Sequence, residues 1–250
     1  MRFYTNIIAL VTSVLFLTNC ATPKRALQTE MLNYKIDNSI LEDTAIVNYY
    51  LPFKQKLENE MNRVIGYSNN HLTRTPNNPE SLAGNFFADA ILAIGKSIDP
   101  STQIAFANKF GIRADLKQGD VTVGNVFELM PFENSFTILE LSGKDLSTLM
   151  HYIAKTGGQP IAGATLEIKD GQPYNVKIGN DTLDLSKTYK IITYDYLANG
   201  GDYVEGLSSP INRNDSGVLV RYGLINYIEN LTKAGKTINT KLDGRIKISK

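Results

Sequence analysis

The stretch Tyr194-Asp195-Tyr196-Leu197-Ala198-Asn199-Gly200-Gly201-Asp202 places an aromatic ring, two adjacent glycines and a carboxylate within one short segment. Adjacent glycines let the backbone turn with positive φ and come close to a ligand. A ring before them and a carboxylate after them suit a flat heteroaromatic group and a vicinal diol. Asn108 and Arg113 frame a second loop. An Asn side chain offers a donor and an acceptor to the edge of a base. An Arg guanidinium offers a planar fork to a phosphate. By residue type alone, Tyr196 and Phe132 also suit a core, and Asp202 suits a turn.

These residues need elements to carry them. Tyr189 to Thr193 reads as a buried strand that delivers Tyr196, and Ile104 to Ala107 as a short strand that delivers Asn108. Val126 to Met130 is helix-like and ends at Pro131. Residues 41 to 65 carry a helical pattern with a break at Pro52, with Leu57, Met61 and Val64 or Ile65 on one face. Residues 69–80 form a polar loop. Ser81 is a candidate N-cap, followed by Leu82, Phe86, Phe87, Ala90, Ile91 and Ile94 at helical spacing. Phe136 to Leu141 is a strand. Ser142 to Asp145 forms a capping box, and Leu146, Leu149, Met150 and Ile153 line the helix after it, which Gly157-Gly158 stops. Ala162–Ile168 and Tyr174–Ile178 alternate about the turn Asp170-Gly171. Val218 to Leu231 reads as a helix and Leu242 to Ile248 as a strand. Hairpins mixed with helices predict an α+β single domain with a mixed β-sheet flanked by helices.

The chain has 250 residues, 42% hydrophobic and 20% charged, with net charge +1. That suits one large globular domain and argues against a surface that coats nucleic acid. Arg2 precedes an apolar run from Ile7 to Leu17, then Leu17-Thr18-Asn19-Cys20. This predicts a signal peptide over 1–19 rather than a membrane span. The last four residues resemble a lipobox, with Asn19 where Gly or Ala is usual. Cys20 is then the lipidation site and a membrane anchor. Residues 20–36 are expected as a tether, with a strand in its later part, and 37–250 as the domain. Cys20 is the single cysteine, so no disulfide is expected. The expected location is the cell envelope, at the periplasmic face or outer membrane of a Gram-negative bacterium.

Four segments appear in order: Asn85 to Ala90, Asn108 to Arg113, Met130-Pro131-Phe132, and the stretch ending at Asp202. Together they resemble the C-terminal, substrate-recognising domain of the bacterial and animal 5'-nucleotidases, over about residues 37–248. The resemblance implies that Phe132 and Tyr196 clamp a base, that Asp202 holds the ribose, and that Asn108, Arg113, Gly200 and Gly201 complete the substrate site. This chain keeps Asn108, Gly111, Ile112 and Arg113 but carries Lys109 and Phe110 where the family has glycines. Lys109 adds a cation near a phosphate, and Phe110 fills part of the pocket. Pro79 stands where the family has a phosphate-binding arginine, for which Arg74 or Lys109 would have to substitute. Glu80 and Asn85 are retained and read as loop-pinning residues.

The full-length nucleotidases also carry a metallophosphatase domain rich in His ligands. This chain has two histidines, His71 and His151, at no metal-ligand spacing. Gly179-Asn180-Asp181 reads as a turn. There is no Gly-x-Ser-x-Gly elbow. The expectation is a recognition subunit with no catalytic residue, metal or cofactor of its own. It would bind a nucleotide or nucleoside and act with a separate metallophosphatase chain that carries the divalent metals. The alternative is a stand-alone envelope protein that binds nucleosides or nucleotides without a hydrolase role.

Overall fold

The computed structural model describes residues 31–249. The expected signal peptide, Cys20 and the tether up to residue 30 lie outside the described residues, and residues 31–36 form no strand. Backbone contacts set off a compact unit from Tyr49 onward. That unit carries the sheets and the site.

Helix α1 (Thr44–Met61) starts on Asp43, whose carboxylate accepts from the N–H groups of Ala45 (2.9 Å) and Ile46 (3.2 Å). The helix runs through Pro52 rather than breaking there. An interior proline removes one helical hydrogen bond. No residue of α1 is buried, so water can take the freed carbonyl. Val64 and Ile65 do not share a helical face with Leu57; they belong to a strand, β1 (Val64–Ser68).

The chain continues through α2 (Leu82–Ile98), β2 (Ile104–Phe106), β3 (Gly119–Thr122), α3 (Val123–Leu129), β4 (Ser135–Ser142) and α4 (Gly143–Lys155). Then follow β5 (Ile161–Ala162), β6 (Ala164–Lys169), β7 (Gln172–Ile178), β8 (Asp181–Thr182), β9 (Thr188–Tyr194), α5 (Asp195–Ala198), β10 (Asn212–Leu219), α6 (Val220–Lys233) and β11 (Ile246–Ile248). The main sheet has the order β10-β4-β9-β2-β5, and a second has the order β11-β6-β7-β8. Both are mixed: β2 runs parallel to β9 and β11 to β6, and the other pairs in them are antiparallel.

Local chemistry explains most of these elements. The Ser81 hydroxyl accepts from the Gly84 N–H (3.0 Å) and starts α2, which buries Phe86, Phe87, Ala90 and Ile91 against β2, β5 and β9. The Ser142 hydroxyl does the same for α4, which buries Leu146, Leu149, Met150 and Ile153. Asp170 (φ +50°) and Gly171 (φ +71°) make the tight turn between β6 and β7. Within the polar loop 69–80, Leu72 is fully buried and bridges Leu116.

Two boundaries differ from the sequence pattern. Val218 and Leu219 extend β10, so α6 begins at Val220. β10 is an edge strand with polar, exposed residues, which leaves no alternation to read. The C-terminal strand is confined to Ile246–Ile248. Glu80 and Asn85 pin the segment before it. Glu80 Oε1 accepts from the Ile246 N–H (3.0 Å), and Asn85 Nδ2 donates to the Lys241 carbonyl (3.0 Å) and to Glu80 Oε2 (3.0 Å).

Candidate functional site

Strand order brings the chemistry together. β2 and β9 are parallel neighbours, so their C-terminal ends open at one edge. Crevices at the carboxyl ends of parallel strands are habitual ligand sites. β4 is antiparallel to β9, with Phe136 opposite Tyr194, so the segment entering β4 reaches the same edge. β2 thus delivers Asn108, β9 delivers Tyr194 and Tyr196, and the run after α3 delivers Phe132 and Asn134.

A cavity of about 260 Å³ opens there, lined by Asn108, Phe110, Arg113, Phe132, Tyr196 and Asp202, with Gly111, Asn134 and Tyr194. Phe132 is 39% exposed and Tyr196 45% exposed, so neither ring is a core residue. The Arg113 guanidinium carbon lies 5.9 Å from the centre of the Phe132 ring. Gly200 and Gly201 do not line this cavity. Gly200 takes left-handed backbone (φ +91°). Gly201 lies under the Tyr196 ring, where a Cβ would come within 2.5 Å of it.

A chain of hydrogen bonds runs from the core to the cavity. The Tyr194 hydroxyl donates to Asn108 Oδ1, and Asn108 Nδ2 donates to Asp202 Oδ2. The Tyr196 hydroxyl donates to Asp202 Oδ1 (2.8 Å). Tyr194 and Asn108 are buried. Burial pushes the Tyr194 hydroxyl pKa above its ordinary value, and the hydrogen bond to Asp202 raises that of Tyr196. Asn108 is therefore engaged on both ends of its amide and sets the Asp202 carboxylate in place. The sequence assigned the Tyr196 hydroxyl no role; it occupies one oxygen of the Asp202 carboxylate. Asp202 (φ +52°) and Tyr203 (φ +53°) both hold left-handed backbone. Such residues persist where their surroundings over-determine them. The Tyr152 hydroxyl donates to the Asp202 carbonyl (3.3 Å), and Val204 and Leu207 bury beside this loop.

Asp195 ties the two aromatic segments to each other. Its Oδ1 accepts from the N–H groups of Ser135 (3.1 Å) and Tyr196 (2.8 Å). Tyr194 and Asp195 head the stretch that ends at Asp202, but residue type assigned them no role; their partners Asn108 and Ser135 lie 86 and 60 residues away along the chain.

Two expected phosphate cations are engaged elsewhere. Lys109 Nζ donates to the carbonyls of Pro76 (3.1 Å), Asn78 (2.7 Å) and Gly157 (3.1 Å), and burial lowers its pKa. It clamps two loops instead of facing the cavity. Arg74 Nε donates to Asp115 (3.0 Å). Pro79 packs on Gly158, outside the cavity lining. Phe110 does line the cavity, but at its rim, 70% exposed.

The described residues do not fit a two-metal centre. His71 Nε2 lies 3.5 Å from Asp115, His151 Nδ1 lies 2.7 Å from the Ser147 carbonyl on α4, and no three His, Cys, Asp or Glu side chains gather among the described residues.

Residues 64–209 match the family described as 5'-nucleotidase, C-terminal domain. The chain belongs to that family. It is 30% identical over 252 residues to the trifunctional nucleotide phosphoesterase protein YfkN of Bacillus subtilis, an alignment that covers 90% of this chain and 17% of the relative. It is 27% identical to a 5'-nucleotidase of Vibrio vulnificus, over 67% of this chain and 31% of the relative. The solved 5'-nucleotidase precursor from Thermus thermophilus superposes with a TM-score of 0.69 at 27% identity, over 83% of this chain and 43% of that one. The chain thus spans less than a third of the curated relatives named here. As a 5'-nucleotidase C-terminal domain, it has the expected α+β fold with mixed sheets flanked by helices.

Proposed function

We propose that this chain is the nucleoside-recognising subunit of a 5'-nucleotidase-type hydrolase. The observation that carries the reading is one cavity holding two half-exposed rings, Phe132 and Tyr196, together with the Asp202 carboxylate. The rings take the base, Asp202 takes the ribose hydroxyls, and Arg113 stands at the rim for a phosphate. A separate metallophosphatase chain supplies the divalent metals and the activated water. This chain contributes positioning, which places the phosphoryl group for attack. With Lys109 and Arg74 both engaged in other bonds, most of the phosphate binding belongs to the partner.

Titration calorimetry on the purified chain tests this. Adenosine should bind, AMP about as well, and 2',3'-dideoxyadenosine about tenfold more weakly for loss of a charge-assisted hydrogen bond. The chain alone should release no phosphate from AMP with Mg²⁺, Mn²⁺, Co²⁺ or Zn²⁺. Failure to bind any nucleoside, or metal-dependent turnover by the chain alone, overturns the reading. Nucleoside binding that no metallophosphatase chain exploits would favour a stand-alone envelope binding protein.

We also propose that Cys20 anchors the chain to a membrane of the cell envelope. Among the described residues no helix is long and apolar enough to cross one. Labelled palmitate should enter the wild type and not Cys20→Ser. An unlabelled wild type refutes the anchor.

A further inference from the structure

Arg221 is the second residue of α6 and is only 7% exposed. A cation in the first turn of a helix opposes the helix dipole, so neither burial nor position favours it there. Its surroundings show what holds it. The guanidinium carbon lies 4.9 Å from the centre of the Phe127 ring and 5.5 Å from that of Tyr222. Both lie within cation–π range. One terminal nitrogen donates to the Phe132 carbonyl (3.3 Å), and the other to the Glu133 carboxylate. Nε is buried without a partner. Beside it, the Val220 N–H donates to the Asn134 carbonyl (2.9 Å). The start of α6 therefore grips three consecutive residues of the segment that carries Phe132.

We infer that Arg221 is a positioning residue for the Phe132 half of the aromatic clamp. Arg221 does not itself line the cavity. It fixes the backbone on which Phe132 stands, much as Asp195 fixes the backbone of Tyr196. The inference rests on the reading that this cavity takes a nucleoside.

The test is a double-mutant cycle read by calorimetry with adenosine. Arg221→Met keeps the aliphatic contact with the two rings and removes both hydrogen bonds. It should weaken adenosine binding about tenfold. In a Phe132→Ala background the same change should have little further effect, because the residue being positioned is gone. Equal losses in both backgrounds would make Arg221 a structural residue and overturn the inference. A second readout needs no ligand. The chain has no Trp, so Phe132→Trp gives a single reporter. Adding Arg221→Lys, which cannot reproduce the two-pronged contact, should increase acrylamide quenching of that Trp. Unchanged quenching overturns the inference, even where Arg221→Met fails to fold. Wild-type protein that binds no adenosine would instead overturn the reading of the site, and the quenching would still decide the role of Arg221.

Discussion

Replacing Phe132 and Tyr196 together by Ala is expected to raise the Kd for adenosine by about a hundredfold or more. Each ring offers a stacking contact of about 1–3 kcal/mol per base. The two rings approach from different segments, one after α3 and one on α5, so each single change should leave the other ring in place. Both rings are half-exposed, which predicts a small stability cost for each truncation. Tyr196→Phe separates the ring from its hydroxyl. In the free chain that hydroxyl donates to Asp202 Oδ1, so a ribose hydroxyl must displace it. Its removal should tighten adenosine binding a few-fold and leave 2',3'-dideoxyadenosine unchanged. Calorimetry on the four variants, with melting curves beside it, checks the set. Unchanged affinity with a large fall in melting temperature would show that the rings serve the fold.

The parts of this site that were legible in the sequence are those that depend on short-range chemistry. The glycine pair could be read because Gly200 must turn with positive φ and Gly201 must leave room for a ring. Ser81, Ser142 and the Asp170-Gly171 turn could be read because caps and tight turns are local. What a residue does with its polar atoms was not legible. Lys109 lies one residue from Asn108, yet its ammonium group turns to three carbonyls in two other loops. Nothing in the sequence singled out Arg221, because its partners lie 88 and 89 residues away. β10 escaped because an edge strand exposed along its length carries no hydrophobic period. Pro52 misled because this helix is buried nowhere, so water can take the carbonyl that the proline leaves unbonded.

Asn108→Asp is expected to have the largest effect of any single change at the site. Asn108 is 4% exposed, and its amide nitrogen donates to Asp202 Oδ2. The substitution is nearly isosteric, but it replaces that donor with a second carboxylate facing the first. Two carboxylates that share a site cannot both ionise readily, so the pair retains a proton in the folded state. The apparent pKa of that proton lies above the unfolded Asp value of about 3.9. A group whose folded pKa is raised contributes full stability below its unfolded pKa and loses it as pH rises through the folded value. At acid pH the shared proton restores a hydrogen bond in place of the amide, and the variant should melt close to the wild type. At neutral pH either the charge repulsion or the retained proton opposes folding. The loss there should be about 3 kcal/mol, in the range of an uncompensated buried charge. For a chain of this size that is a fall of about 6–12 °C in Tm. Adenosine affinity should fall over the same pH range, because Asp202 then either holds the proton or is pushed out of place. Calorimetric melting of both proteins between acid and neutral pH decides the matter. A deficit in Tm that stays constant with pH would show that residues 108 and 202 do not face each other as this structure has them.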